Sequence, residues 1–175
     1  MTPEEELRHL WYGSSQEDVV QSFGLLLSLQ ANCQGNADVV LSNCREVLEI
    51  VIKQYKMDWL SEEEWRRKLP DWFVANCAPE RTLAEEEEYL IKWRKLSSEQ
   101  QQRQAQEEKW SMMDWVSWFE PSDDVFNQRT WFWWDAFIKE PNILTVIVEV
   151  VDLPVPLGSL IWLLRASGAT TVSSC

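Results

Sequence analysis

Apolar residues recur at three- and four-residue spacing through the first half of the chain and crowd together without that spacing in its last third. Over 16–32, Val19, Val20, Phe23, Leu26, Leu27 and Gln30 mark one face of a helix, widened by Leu25 and Leu29. Gly35 and Asn36 then turn the chain. Val40, Cys44, Val47, Leu48, Val51 and Tyr55 predict a second, central helix over 37–56, flanked by Val39, Leu41, Ile50 and Ile52. The short link at 33–36 predicts that these two helices are antiparallel neighbours.

Helix starts are written in the sequence as capping boxes, in which a Ser or Thr hydroxyl accepts a first-turn amide and a Glu or Gln three residues on reaches back. Four are read: Ser14 with Glu17, Ser61 with Glu64, Thr82 with Glu85, and Ser98 with Gln101. Trp59 is placed to staple against Trp65 across the second of these. Pro70 restarts the chain before Trp72 and Phe73, both expected to be buried. The third box opens a helix whose acids, Glu85 to Glu88, sit at the positive end of the macrodipole and whose bases, Lys92, Arg94 and Lys95, sit at the other. Its expected stripe is Tyr89, Leu90, Trp93 and Leu96. Residues 97–109 are polar all round and have nothing to bury, so they are expected to be a mobile segment, either an exposed helix or an insertion.

Beyond Glu120 and Pro121 the texture changes. Residues 131–138 and 143–151 are aromatic and β-branched, with Glu140-Pro141-Asn142 between them, and predict a β-hairpin. Alternation sends Trp131, Trp133, Asp135 and Phe137 to one face and Phe132, Trp134, Ala136 and Ile138 to the other. Both faces are mainly apolar, so both are expected to be covered. Leu157, Leu160, Ile161 and Leu164 predict a last helix ended by Gly168, followed by a short strand around 170–172 or a frayed tail. The fold class is therefore α+β. An N-terminal helical bundle over about 1–119 is followed by a β-hairpin and a closing C-terminal helix over about 120–175, in a single domain over 1–175.

Charge narrows the function classes. Lys plus Arg number 16 against 29 Asp plus Glu, a net charge of −13, which argues against nucleic acid and against an anionic membrane surface as partners. The run from Ile143 to Leu164 has the apolarity of a membrane span, but Glu149, Asp152, Pro154 and Pro156 oppose insertion, and a buried strand followed by a helix is expected instead. The first residues carry no apolar secretory region, which predicts a cytoplasmic protein with Cys33, Cys44, Cys77 and Cys175 as free thiols. No two cysteines have a zinc or dithiol spacing, and the one histidine, His9, reads as an ordinary surface residue, so neither metal nor cofactor is expected. Phosphate-cradling and nucleophile-elbow motifs are absent.

Twelve tryptophans are the most unusual feature, six of them between Trp110 and Trp134. Core packing comes first among their uses, then a protein interface, then a ligand platform. Two functions follow. The first is a non-enzymatic cytosolic protein-interaction module that binds another protein, or itself, through acidic helices and through Trp110, Trp115, Trp118, Trp131, Trp133 and Asp135. An inhibitor or immunity protein against a basic toxin or nuclease fits that description. The alternative is a carbohydrate- or small-ligand-binding protein, or a hydrolase, using Asp123, Asp124 or Asp135 beside Trp131 and Trp133; it requires those carboxylates to converge in a cleft.

Overall fold

A computed structural model describes residues 1–15, 18, 24–122, 129–151 and 155–174. In chain order the elements are α1 (Pro3–Tyr12), β1 (Leu25–Asn32), α2 (Ala37–Gln54), α3 (Glu62–Lys68), α4 (Asp71–Asn76), α5 (Leu83–Trp93), α6 (Ser98–Glu107), α7 (Met112–Ser117), β2 (Trp131–Glu140), β3 (Ile143–Val150), α8 (Gly158–Ala166) and β4 (Thr171–Ser174). The strands form one antiparallel sheet in the order β2-β3-β1-β4. The class is mixed α+β, but the chain does not divide into a bundle followed by a hairpin, because β1 lies inside the sheet.

That strand is the largest departure from the periodicity reading. Leu25, Leu27, Leu29 and Ala31 stand opposite Val150, Val148, Val146 and Leu144 and share one sheet face with them. A short apolar run satisfies the helical and the strand templates alike, and here the long-range partner β3 selects the strand. Residues 33–36 consequently join a strand to a helix. The Cys33 and Ala37 amides donate to Asn142 O (2.7 Å) and Pro141 O (3.2 Å), tying that link to the hairpin turn.

α2 forms as its spacing predicts: Val40, Cys44, Val47, Leu48 and Val51 are all buried, and only Tyr55 emerges. The boxes at Ser61 and Thr82 are made, and Trp65 meets Trp59 edge-on at 5.0 Å between ring centroids. The fourth box uses Ser97 and Gln100, one residue earlier than expected; Gln101 instead donates to Trp93 O (2.9 Å) at the end of α5. Glu17 lies outside the described residues, and the Ser14 hydroxyl is spent on Asp135. The polar 97–109 stretch is the helix α6 as far as Glu107, lying beside α8. α5 buries no residue: Tyr89 and Trp93 are half-buried, while Leu83, Leu90 and Ile91 are exposed.

The hairpin forms with a correction to its faces. A bulge at Trp134 shifts the register between Trp133 and Asp135, and one extra residue reverses the alternation beyond it. Trp131 and Trp133 therefore share the core face with Ala136 and Ile138, opposite Val150, Val148, Val146 and Leu144, while Asp135 turns to the other side. The core face receives α2 and α8, together with α7 through its aromatic side chains. A train of rings runs from Phe73 to Trp115 (4.9 Å), to Phe119 (4.7 Å) and to Trp131 (5.7 Å). The second sheet face is only partly covered: Thr145 and Glu149 are buried, but Phe137 is 48% exposed. The membrane-like run is β3 followed by α8, and among the described residues no helix is long and apolar enough to cross a membrane.

One edge of the sheet is sealed by α1, which starts from a further capping box between Thr2 and Glu5. Glu6 is 2% exposed and accepts two bonds from Arg129 (2.7 and 2.5 Å) and the Trp133 amide (2.7 Å). His9 is buried rather than superficial, stacked on Trp134 at 4.5 Å, with Nδ1 bonded to Trp134 O (2.9 Å) and Nε2 to Arg8 (3.1 Å). A carbonyl only accepts and a guanidinium only donates, so both bonds are made by the Nδ1–H tautomer. Removing one partner of a buried ion pair leaves an uncompensated charge, so Glu6→Ala should lower stability by about 3–5 kcal/mol. Glu6→Gln, which keeps an acceptor for the Trp133 amide, should cost less, and urea unfolding monitored by fluorescence checks both.

Candidate functional site

The twelve tryptophans separate by burial. Trp65, Trp115, Trp131, Trp133, Trp134 and Trp162 are buried, Trp59, Trp72, Trp93, Trp110 and Trp118 are half-buried, and Trp11 is exposed. Of the sequence-derived contact residues, Trp115, Trp131 and Trp133 thus belong to the core. The Trp115 and Trp131 indoles donate to Ser159 O (2.9 Å) and Ser159 Oγ (3.0 Å), which pins α7 and β2 to the first turn of α8. These three side chains offer no area to a partner.

Asp135 does not join Trp131 and Trp133. The Trp134 bulge turns it away from their face, and its carboxylate accepts the Ser14 hydroxyl (2.9 Å) and the Ala136 amide (2.7 Å). Gly13 makes room for it: at φ +72° a Cβ there would lie 2.7 Å from Asp135 Oδ1. Asp123 and Asp124 lie outside the described residues, so the converging carboxylates that the hydrolase alternative requires are not brought together among the residues described.

Trp110 and Trp118 remain, and they share a corner. Their rings meet at 89° with centroids 6.4 Å apart. Trp110 is fixed by its backbone, because its carbonyl accepts the Ala78 amide (2.9 Å) where residues 78 and 111 bridge. Ser111 caps α7 through the Asp114 amide (3.2 Å), and Glu80 accepts the Met113 amide (2.9 Å). Gly158 lets the Trp110 ring lie against the start of α8; a Cβ there would sit 3.1 Å from Trp110 Cζ2. Both indoles pack against the hydrophobic core.

A cleft opens on each side of it. The first, about 420 Å³, runs between α5 and α7 and is lined by Tyr89, Trp93, Trp110 and Trp118 together with Arg81, Glu86, Glu108, Lys109 and Asp114. Such a volume lies in the range of ordinary ligand sites. The second, about 620 Å³, is more apolar and runs from the same two indoles past Pro156, Leu157 and Ile161 to Val172 on the edge strand β4. In the first cleft Arg81 lies 3.9 Å over the Tyr89 ring and is held by Glu86 (3.2 Å) and Glu108, while the Tyr89 hydroxyl donates to Glu108 (2.6 Å). Burial and that carboxylate raise the Tyr89 phenol above its ordinary range. The first cleft could not be read from the sequence, because its aromatic residues are spread over 89–118 and α5 had been expected to bury its stripe.

No group of three His, Cys, Asp or Glu among the described residues is arranged to hold a metal ion. Burial pushes the Cys44 and Cys77 thiols up to about 12 and raises Cys33 as well. Comparison with protein-family models, with curated proteins and with solved structures gives no match. With thiol pKa values so far above neutrality the thiolate fraction is negligible, so Cys44 and Cys77 should label with an aromatic disulfide reagent near pH 8 at least ~100-fold more slowly in the native protein than in urea. Mass spectrometry of the labelled peptides measures the rate at each position.

Proposed function

We propose that this protein is a non-enzymatic interaction module for a basic protein partner, with the contact surface centred on the Trp110–Trp118 corner. The observation that carries the reading is that corner: two half-buried indoles packed on the core, flanked by two clefts, with Glu86, Glu108 and Asp114 around the first. Tryptophan in such a setting supplies much of the energy of protein interfaces. Apolar side chains continue outward along α5, where Leu83, Leu90 and Ile91 stand in solvent beside Glu85 to Glu88. A net charge of −13 gives the whole molecule a field that speeds encounter with a positively charged face. An inhibitor of a basic toxin or nuclease is one protein of this kind, acting in the reducing cytoplasm with its cysteines as free thiols.

Immobilised protein should retain a basic partner that is then identified, purified and measured directly. Binding should weaken at least ~10-fold between about 0.05 and about 0.5 M NaCl. Trp110→Ala or Trp118→Ala should cost at least ~10-fold in affinity, as for an interface anchor, while Phe137→Ala on the far sheet face should change little. A purified partner that is acidic, or one whose affinity ignores both indoles, overturns the reading.

A further inference from the structure

The geometry points to a guanidinium pocket: the cleft between α5 and α7 takes an arginine side chain of the partner, seated on the Trp110–Trp118 corner with Asp114 as its counter-charge. This inference deepens the reading above and rests on it. Its first support is internal. One wall of the cleft already holds a guanidinium, that of Arg81, on the face of Tyr89 and between the carboxylates of Glu86 and Glu108. The rest of the lining has three indoles and one carboxylate but no guanidinium. Trp110 and Trp118 present two rings at right angles, and no Lys or Arg lies over Trp93, Trp110 or Trp118 among the described residues.

Asp114 is the acid in that part of the lining. Its amide is spent on the Ser111 cap, but its carboxylate has no hydrogen bond or ion pair among the described residues. A planar cation over an indole with a carboxylate beside it gains both the ring-quadrupole attraction and a charge-assisted bond. Lys109 also lines the cleft and opposes a cation. Three carboxylates still outnumber the two basic groups there, within a strongly acidic molecule, so the field in the cleft favours a positive guest.

The test titrates the full chain with N-acetyl-arginine methylamide and with its neutral isostere, N-acetyl-citrulline methylamide, following the indole N–H resonances of Trp110 and Trp118. Saturable shifts are expected with the arginine compound, and at least about fivefold weaker binding of citrulline, which keeps the planar shape but loses the charge and replaces one donating NH2 with an accepting oxygen. Asp114→Asn should weaken the arginine compound by about two- to fivefold and Lys109→Gln should tighten it by about twofold, both effects shrinking with salt. Both residues are at the surface, so these variants report on the pocket even where Trp118→Ala fails to fold. Equal binding of the two compounds, or tightening by Asp114→Asn, overturns the assignment. So does a preference for acetate over both that is lost on Lys109→Gln. Retention of a basic partner through Trp110 and Trp118 with no response to the arginine compound also overturns it, and leaves the interaction reading standing.

Discussion

The structure depends most on the pair formed by Glu6 and Arg129. Both side chains are nearly out of solvent, at 2% and 6% exposure, and taking two such charges out of water costs several kcal/mol per ion, which their mutual attraction and hydrogen bonds must offset; of their polar atoms only Arg129 Nε finds no hydrogen-bond partner among the described residues. Here the return comes from geometry. Arg129 meets Glu6 in two parallel bonds and lies under the rings of Phe119, Trp131 and Phe132, at 4.5, 4.8 and 4.9 Å. Glu6 keeps enough capacity to accept the outward amide of Trp133. One carboxylate thus joins α1, the loop before β2 and the backbone of an edge strand.

An exposed sheet edge invites pairing with other chains. On the β2 side α1 answers with side chains rather than another strand: Glu6 takes an amide and His9 meets the next carbonyl, its ring stacked on Trp134. The bulge at Trp134 belongs to the same arrangement, because it breaks the ladder where His9 docks and sends Asp135 away from the core. Behind this edge, the ring train from Phe73 to Trp131 carries α4 and α7 onto the sheet, and Ser159 ties two of its indoles to α8. Trp110 and Trp118 pack against the outside of that core, so the core tryptophans help set where these two half-buried indoles lie.

Legibility followed interaction range. The boxes at Ser61 and Thr82 involve residues three apart, and the spacing over α2 describes one face of one helix; both were present in the pattern of residues and both formed. The hairpin turn and the stop at Gly168, whose φ of +119° suits glycine, are equally local. The candidate site was less legible. Six residues were proposed for contact, and three of them, Trp115, Trp131 and Trp133, pack in the core, because an indole with a buried acceptor such as Ser159 is an ordinary core residue that composition cannot tell from an interface anchor.

What the sequence determined by itself is therefore the central helix α2, the starts of α3 and α5 at Ser61 and Thr82, the hairpin and the acidity of the chain, since each of these local features is set by neighbours within about one turn of helix or one reverse turn. What only the tertiary structure decided is the identity of β1, the two faces of β2, the placing of Glu6 and His9 against an edge, and which indoles are buried and which keep some exposure. Each of those is fixed by a partner far along the chain: Leu29 becomes a strand residue because Val146 stands opposite it, and Glu6 is buried because Arg129 and Trp133 meet it there. Side-chain spacing carries no record of such partners until the backbone has brought them together.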